Sequence, residues 1–218
     1  MFLKVGHRGA SAYEVENTLK SFQKAIELGA NAVELDVRQS VDGALVVIHD
    51  DNLKRVFGTD MKVARTTLKD LEHASDDGIP TLQKALHFID RKVEKILVEL
   101  KERGYEKEVL HEIRKHQVHD RVIVVSFRDQ SLSEVRRLDS TIETGLIYSK
   151  HHNPTAAAIA LRAQYLIPSY RFVLTRNVAD AHGKNLKVIV WTINTATEAK
   201  QYREKGVDGI ASDRPDIL

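Results

Sequence analysis

Two short apolar runs of this chain each contain a pair of charged residues spaced two positions apart, and at least one member of each pair is acidic. Glu34 and Asp36 lie in "AVELDV". Glu99 lies in "KILVELK", where Lys101 follows it at the same spacing. Residues two apart on a β-strand project from one face, so the carboxylates of both runs would point the same way. Three converging carboxylates repel one another unless a cation neutralises them or a proton is taken up. The pattern predicts an oxygen-only site for a hard divalent ion, Mg²⁺ or Ca²⁺, with Mn²⁺ as a further candidate. The competing interpretation is a salt bridge from one of the acids to Lys101 or Arg38.

Two histidines and an arginine follow two other apolar runs. His7 and Arg8 come after "FLKVG", and His49 ends "ALVVIH". A pair of imidazoles can divide proton transfer in phosphoryl or acyl transfer, one acting neutral as base and one charged as acid. The guanidinium of Arg8 offers a planar fork that fits two phosphate oxygens. The alternatives are ordinary polar loop histidines and an arginine in a surface ion pair.

Short β-branched runs alternate with helical patterns along the chain, which is typical of a parallel sheet built from βα units. Eight runs qualify as strands: "FLKVG", "AVELDV", "KILVEL", "RVIVVSF", "ETGLIY", "QYLIP", "KVIVWTI" and "DGIAS". Apolar residues recur at helical spacing after the first strand and near 80–91, 105–117, 129–138, 154–163, 175–183 and 195–205. We predict a closed (β/α)8 TIM barrel rather than an open doubly wound sheet, because closure protects both edges. In such barrels the active site lies at the carboxyl ends of the strands.

The connection after the second strand is far longer than an ordinary βα loop. It reads "DGALVVIHDDNLKRVFGTDMKVARTTLKDLEHASDDGIP" and contains the further apolar run "ALVVIH". We predict a short insertion after strand 2, made of a hairpin strand and an excursion over the barrel mouth. Since the chain has no low-complexity tract and no Gly/Ser linker, we expect residues 1–218 to form a single domain.

Composition limits the classes of partner. The 33 basic and 31 acidic residues give a net charge of +2. Because they are spread along the chain, we expect no nucleic-acid partner and no stable membrane insertion. Cysteine is absent, which excludes thiolate chemistry and suits a reducing compartment. The chain has no apolar run of about 18 residues and no signal-peptide pattern. We expect a cytoplasmic protein with a small-molecule substrate, and a homo-oligomer is one option for its assembly.

Several segments together resemble the ordered motifs of the glycerophosphodiester phosphodiesterase family. They are "HRGASAYEVENT", "ELDVRQSVDGALVVIHD", "IPTL", "ILVELK", "VVSF", "VIVWTIN" and "GVDGIASDRP", and they span the whole chain. The resemblance implies a (β/α)8 barrel and a metal-dependent hydrolase that cuts glycerophosphodiesters to glycerol 3-phosphate and an alcohol. It also implies roles for individual side chains: His7 and His49 as the acid/base pair, Glu34, Asp36 and Glu99 as metal ligands, and Arg8 and Lys101 on the phosphate.

One position departs from the family pattern. The family usually has Pro-Glu-Asn-Thr where this chain reads "VENT", with Val15 in the proline position. This change concerns loop rigidity and none of the implied catalytic groups. Glu16 either adds to the polar site or serves as a first-turn acid that anchors the next helix, and we favour the structural role. Asn17 and Thr18 are both suitable N-cap residues for that helix.

Two aromatic residues near strand ends are candidates for the substrate pocket. Phe127 and Trp191 lie near the ends of the fourth and seventh predicted strands, where they would wall the glycerol pocket or pack in the core or rim.

The reaction path and the substrate class stay open at this level. Either the substrate's glycerol 2-hydroxyl attacks phosphorus and gives a cyclic phosphate, or water attacks directly, and either histidine can act first as base. The alternatives are a phosphodiesterase of the lysophospholipase D or phospholipase C kind on lipid substrates, and a noncatalytic ligand-binding barrel. Exposed apolar loops are typical of enzymes that work on membranes. The segment 50–79 is polar and charged instead, which favours soluble headgroup diesters.

Overall fold

Eight parallel strands close into a barrel in the computed structural model, which describes residues 1–76 and 78–218. The eight strands of the ring and one further strand, β3, are β1 Leu3–Gly6, β2 Ala32–Gln39, β3 Leu45–Val47, β4 Lys95–Leu100, β5 Val122–Ser126, β6 Glu143–Tyr148, β7 Tyr165–Pro168, β8 Lys187–Val190 and β9 Gly209–Ser212. The ring runs β1-β2-β4-β5-β6-β7-β8-β9, and pairing of β9 with β1 closes it. Strand β3 pairs antiparallel with β2 outside the ring. The predicted (β/α)8 barrel with a hairpin strand in its insertion is therefore confirmed.

Helices connect consecutive strands of the ring. They are α1 Leu19–Glu27, α2 Lys54–Phe57, α3 Leu68–Ala74, α4 Leu82–Ile89, α5 Glu106–Lys115, α6 Asp129–Leu138, α7 Pro154–Ala160, α8 Thr175–His182 and α9 Ala196–Glu204. None of the described helices combines the length and the apolar character that crossing a membrane requires. The predicted run "KVIVWTI" is longer than β8, because Trp191 makes only an isolated bridge to Ser169 after the ladder ends at Val190.

Alternating side chains of the strands build two separate apolar layers. Val5, Leu97 and Ile123 belong to the cluster that fills the barrel interior. Val33 and Leu35 belong to a cluster that packs the strands against the surrounding helices. This alternation leaves the even-numbered acids of β2 on the inner face. The strands therefore point the predicted polar residues toward the barrel axis.

The insertion between β2 and α4 has a small apolar core of its own. Helices α2 and α3 and a 3₁₀ turn at Val63–Arg65 lie in this segment. Its buried residues are Val46, Ile48, Leu53, Val63, Leu71 and Ile79. The insertion is thus a packed layer attached to β3, and it carries His49 at the point where β3 ends.

The turn after β1 brings its backbone against α1. Gly9 has a φ of +85°, and a Cβ at this position would lie 2.3 Å from Oγ of Ser21. The Ser21 hydroxyl in turn donates a hydrogen bond to the carbonyl of Arg8 at 2.8 Å. This contact ties the loop that carries His7 and Arg8 to the first helix.

We expect Gly9→Ala to lower the free energy of unfolding by about 2 kcal/mol or more, because the added methyl overlaps Ser21 and φ is positive. Gly29→Ala is the matched control: its φ is +86°, yet no atom lies within 4 Å of a Cβ placed there. That variant should cost only the strain of the left-handed backbone, about 1 kcal/mol. Urea unfolding compares the two, and equal losses would contradict the steric account.

Candidate active site

The carboxyl ends of the ring strands surround a cavity of about 110 Å³. Of the residues predicted from the sequence, it is lined by His7, Arg8, Glu34, His49, Glu99, Lys101, Phe127 and Trp191. Asp36 is 1% exposed and is not part of the lining, but it contacts the side chains of Arg8 and Lys101, which are. The structure therefore brings all the predicted site residues together at one end of the barrel.

The three predicted metal ligands form a compact acidic cluster. One oxygen from each of Glu34, Asp36 and Glu99 lies within 4.8 Å of the others. Glu34 Oε2 accepts a hydrogen bond from the backbone N–H of Arg8 at 2.8 Å. Within the described part of the chain, Glu34 Oε1 is buried without a hydrogen-bond partner. An unpartnered buried carboxylate oxygen beside two others is the donor set that a hard divalent cation takes, so the residues fit such an ion.

Burial and mutual repulsion set the protonation of this cluster. Burial, followed by the charges of Asp36 and Glu99, raises the pKa of Glu34 well above its ordinary value. Burial and the charge of Asp36 likewise raise the pKa of Glu99 from 4.5 to about 7. Burial also acts to raise the pKa of Asp36, but the charges of Lys101 and Arg8 outweigh it and lower that pKa to about 2. Positive charge or bound protons therefore lower the electrostatic free energy of the cluster.

Two cations already contact the acids. Lys101 Nζ lies 2.6 Å from Glu99 Oε1 and 3.2 Å from Asp36 Oδ1. Arg8 Nε lies 3.3 Å from Asp36 Oδ2, outside hydrogen-bonding geometry. The salt bridge from the acids to Lys101, which was the alternative to a metal site when only the sequence was considered, is therefore present. The one considered for Arg38 is not, because that guanidinium bonds Glu102 and the His49 carbonyl instead.

His7 is oriented by a carboxylate from the other end of the chain. Its Nδ1 lies 2.7 Å from Oδ1 of Asp213, which also accepts a hydrogen bond from the Ser11 hydroxyl. Asn194 donates to the second oxygen of Asp213 at 2.6 Å. Burial opposes ionisation of Asp213, but the hydrogen bond from His7 and the others lower its pKa to about 2. An ionised Asp213 holds the proton of His7 on Nδ1 and leaves Nε2 for the cavity.

His49 has the same arrangement with a different carboxylate. Its Nδ1 lies 2.6 Å from Oδ1 of Asp50, and Arg55 Nε donates to Asp50 Oδ2 at 2.6 Å. The hydrogen bond from Arg55 is the main reason that the pKa of Asp50 falls to about 2. Burial lowers the pKa of His49, which the nearby charge of Asp36 partly offsets. Both histidines therefore present Nε2 to one cavity.

The opposite wall of the cavity is apolar. Phe127 and Trp191 meet edge to face, with ring centroids 5.6 Å apart and an interplanar angle of 86°. The indole N–H of Trp191 donates to the carbonyl of Ile167 at 2.8 Å, which fixes the ring against the wall. Leu97 and Val125 complete this side. The cavity thus has one charged face and one face suited to carbon atoms of a ligand.

The loop before α1 differs from its sequence interpretation. Helix α1 begins at Leu19 and Thr18 caps it, so Glu16 precedes the helix, and the favoured first-turn role is wrong. Its carboxylate instead accepts a hydrogen bond from Arg8 Nη1 at 2.9 Å. Asn17 has a φ of +60° and donates to Asp36 Oδ2 at 2.8 Å rather than capping the helix. The left-handed backbone conformation of Asn17 directs the polar side chains of this stretch toward the site.

The carboxylate partners of the histidines were not identified from the sequence. A signal for each exists: Asp50 directly follows His49, and Asp213 directly follows β9 at the end of the ring. A third missed residue, Arg55, lies in α2.

The chain is similar to known proteins over nearly its whole length. The sequence profile of the glycerophosphoryl diester phosphodiesterase family matches residues 7–217. Over 232 residues the chain is 31% identical to a glycerophosphodiester phosphodiesterase from Caldanaerobacter subterraneus subsp. tengcongensis, covering 99% of this chain and 96% of that protein. The crystal structure of a glycerophosphodiester phosphodiesterase from Thermotoga maritima is 32% identical with a TM-score of 0.89, covering 100% of this chain and 97% of that one.

An Oleispira antarctica phosphodiesterase, solved in complex with the product sn-glycerol-3-phosphate, is 28% identical with a TM-score of 0.89, covering 97% of this chain and 93% of that one. From these matches and the barrel, the chain belongs to the glycerophosphoryl diester phosphodiesterase family and is a phosphoric diester hydrolase.

Proposed function

We propose that this chain hydrolyses soluble glycerophosphodiesters to glycerol 3-phosphate and an alcohol, with a divalent cation and two histidines. The observation that carries the proposal is the cavity that His7 and His49 line together with Glu34 and Glu99, two of the three clustered carboxylates. The names of its relatives support the reaction, and the Oleispira neighbour was solved with sn-glycerol-3-phosphate as product.

Glu34, Asp36 and Glu99 would hold the cation, Mg²⁺, Ca²⁺ or Mn²⁺, through carboxylate oxygens. When bound, the ion supplies positive charge that offsets negative charge on the reacting phosphate. The unpartnered Glu34 Oε1 supports this assignment, because a buried oxygen without a donor is otherwise costly.

Arg8 and Lys101 would bind the phosphate oxygens from the same side of the cavity. Both side chains are mostly buried and already lie among the acids, so a phosphate would find them oriented. Arg8 has a φ of +54°, a strained conformation held by the hydrogen bond from its N–H to Glu34. The loop thus fixes the guanidinium before substrate arrives.

His7 and His49 would move the protons through Nε2. One ring takes the proton of the attacking hydroxyl while the other, charged, gives a proton to the oxygen that leaves phosphorus. Their Nδ1 atoms stay bonded to Asp213 and Asp50, which stabilise the positive charge on each ring as it forms. The attacking hydroxyl is either the 2-hydroxyl of the substrate glycerol, giving a cyclic phosphate that water opens, or water itself.

Phe127 and Trp191 would pack against the glycerol carbons. The aromatic rings line the same cavity as the charged groups, so a bound diester would turn its carbon atoms to these rings and its phosphate to the charges.

The test is release of glycerol 3-phosphate from a panel of glycerophosphodiesters carrying choline, ethanolamine, glycerol or inositol. Each substrate is assayed in EDTA and after restoration of Mg²⁺, Ca²⁺ or Mn²⁺. We expect release from at least one member, lost in EDTA and regained with one of the ions. Absence of release from every member would contradict the proposal and favour a lipid substrate or a noncatalytic barrel.

One observation favours lipid substrates as a second candidate. Phe127, Phe172 and Leu174 are between 44% and 51% exposed and follow β5 and β7 on the mouth side. Exposed apolar side chains next to an active site are what a lipid-directed enzyme would use. Choline release from lysophosphatidylcholine, compared with release from glycerophosphocholine under the same conditions, separates the two candidates.

A further inference from the structure

We propose that Arg55, from the insertion after β2, is a positioning residue that sets the orientation of His49 and Arg8 together. The inference rests on the proposed function in one respect: it takes these two side chains to be part of the reacting site. Its structural basis is independent of the substrate.

The guanidinium of Arg55 binds two carboxylates at once. Its Nε donates to Asp50 Oδ2 at 2.6 Å. Its Nη1 and Nη2 donate to Glu16 Oε2 and Oε1 at 2.8 and 2.6 Å. Arg55 thus joins the insertion to the loop that precedes α1, and it does so through a planar fork that fixes both carboxylates in angle as well as distance.

Each carboxylate then contacts a different side chain of the cavity. Asp50 uses its other oxygen, Oδ1, to bond His49 Nδ1 at 2.6 Å. Glu16 Oε1 also accepts a hydrogen bond from Arg8 Nη1 at 2.9 Å. One continuous line of hydrogen bonds therefore runs from His49 through Arg55 to Arg8, across two segments distant in sequence.

The arrangement differs from an ordinary surface ion pair in what it orders. The Arg55 side chain is half exposed, so its contribution to the free energy of unfolding should be small. Glu16 and Asp50 are more buried, at 16% and 26% exposure. Asp50 contacts His49 through the oxygen that Arg55 leaves free, and Glu16 contacts Arg8 through an oxygen that it shares with Arg55. Loss of Arg55 should therefore appear in the geometry of His49 more than in stability.

The consequence for His49 concerns which ring nitrogen carries the proton. Held by Arg55, Asp50 accepts from Nδ1–H, and Nε2 is left to face the cavity. Without Arg55 the Asp50 carboxylate is free to rotate away, and the neutral ring then populates both tautomers. Arg8 loses only the restraint that Arg55 provides through Glu16, while its backbone N–H stays bonded to Glu34 and its Nε stays beside Asp36, so substrate binding should change less than turnover.

The test compares Arg55→Met, Arg55→Lys and the matched control Arg137→Met. Arg137 makes a similar fork to Glu134, at 2.8 and 2.6 Å, on the exposed face of α6 away from the cavity. We expect Arg55→Met to lower kcat by about 10- to 100-fold with a smaller change in KM. Lysine keeps the charge but cannot bond both carboxylates as a fork, so Arg55→Lys should also lower kcat. Arg137→Met should match the parent protein.

A readout without substrate separates positioning from a merely structural role. The ¹⁵N spectrum of histidine-labelled protein at about pH 8, where His49 is neutral, distinguishes the protonated ring nitrogen from the bare one. We expect the His49 signals to report Nδ1–H in the parent and in Arg137→Met, and a tautomer mixture in both Arg55 variants.

Three results would overturn the inference: unchanged kcat in Arg55→Met, full activity in Arg55→Lys, or reduced kcat with parent-like His49 signals. If the parent protein is inactive on every diester, the proposed function fails, while the ¹⁵N comparison still decides the role of Arg55.

Discussion

Replacing His49 with alanine is expected to lower kcat on the preferred glycerophosphodiester by about 10²- to 10⁴-fold, the usual contribution of a general acid or base. The ring borders the cavity, and its Nδ1 is already bonded to Asp50, so Nε2 is the atom available for proton transfer. His7→Ala should have an effect of the same order, because Asp213 holds its ring in the same way. Because the proposed mechanism has both rings act in the same step, the double variant should be little slower than the worse single variant.

The fold and the metal site should survive these changes. Neither imidazole is among the carboxylate ligands, so the metal-induced shift in melting temperature should persist in His49→Ala. His182→Ala is the matched control, because it removes another histidine bonded to a carboxylate, with Nε2 at 2.9 Å from Asp208 Oδ2, outside the cavity. Steady-state kinetics on the three single variants and the double variant checks the assignment. Retained turnover in His49→Ala, or an equal loss in His182→Ala, would remove His49 from the mechanism.

The inward carboxylates could be predicted because strand periodicity alone determines their direction. Glu34 and Asp36 share a face by the two-residue repeat, and β2 pairs in register with β4 so that Asp36 lies opposite Glu99. The repeat holds over these strands because Val33 and Leu35 pack against the helices on the other face. The barrel was predicted from a different alternation, that of eight strand-like runs with helical segments.

Asp50 directly follows His49 in the sequence, but Asp213 and Arg55 could not be predicted in this way, because tertiary contacts between distant segments bring them to the site. Asp213 reaches His7 only because β9 closes the ring beside β1, which brings together residues 206 apart in sequence. Arg55 reaches Glu16 only because the insertion folds over the first loop. No local period relates such pairs, and a carboxylate that follows a strand looks the same in sequence whether it holds an imidazole or a water.

Local rules can also mislead when the backbone departs from its usual region. The string Glu16, Asn17, Thr18 satisfies the pattern of a helix start, and Thr18 does cap α1. The left-handed φ of Asn17 then rotates the preceding residue away from the helix and turns both polar side chains into the site. Asparagine adopts that conformation more often than most non-glycine residues, but the helix-start pattern does not tell whether Asn17 does so or caps the helix.

Removing the divalent cation is expected to lower kcat by about 10²- to 10³-fold or more. This is the loss expected if the ion stabilises the charge of the transition state by several kcal/mol. The same treatment should make stability depend on pH through Glu99, whose pKa in the folded, metal-free protein is raised from 4.5 to about 7. Asp36 and Glu34 repel its ionised form, and Lys101 and Arg8 only partly compensate for burial.

The direction of this pH dependence follows from the raised pKa. Below 4.5 Glu99 is protonated in both the folded and the unfolded chain, so its contribution to stability is complete. As pH rises from 4.5 through about 7, the unfolded chain releases the proton more readily, and that contribution is lost. A cation that binds the ionised cluster should therefore raise the melting temperature more at about pH 8 than at about pH 5.

Glu99→Gln separates the effect of Glu99 from that of the other groups that make stability depend on pH, because it removes the titrating group and keeps the shape of the side chain. In EDTA, we expect the melting temperature of the variant to fall less between about pH 5 and pH 8 than that of the parent protein. Added Mg²⁺, Ca²⁺ or Mn²⁺ should also stabilise the variant less, because one of three ligand carboxylates is gone. A metal-induced shift that is the same at both pH values, or the same in Glu99→Gln, would show that the cation binds elsewhere on the chain.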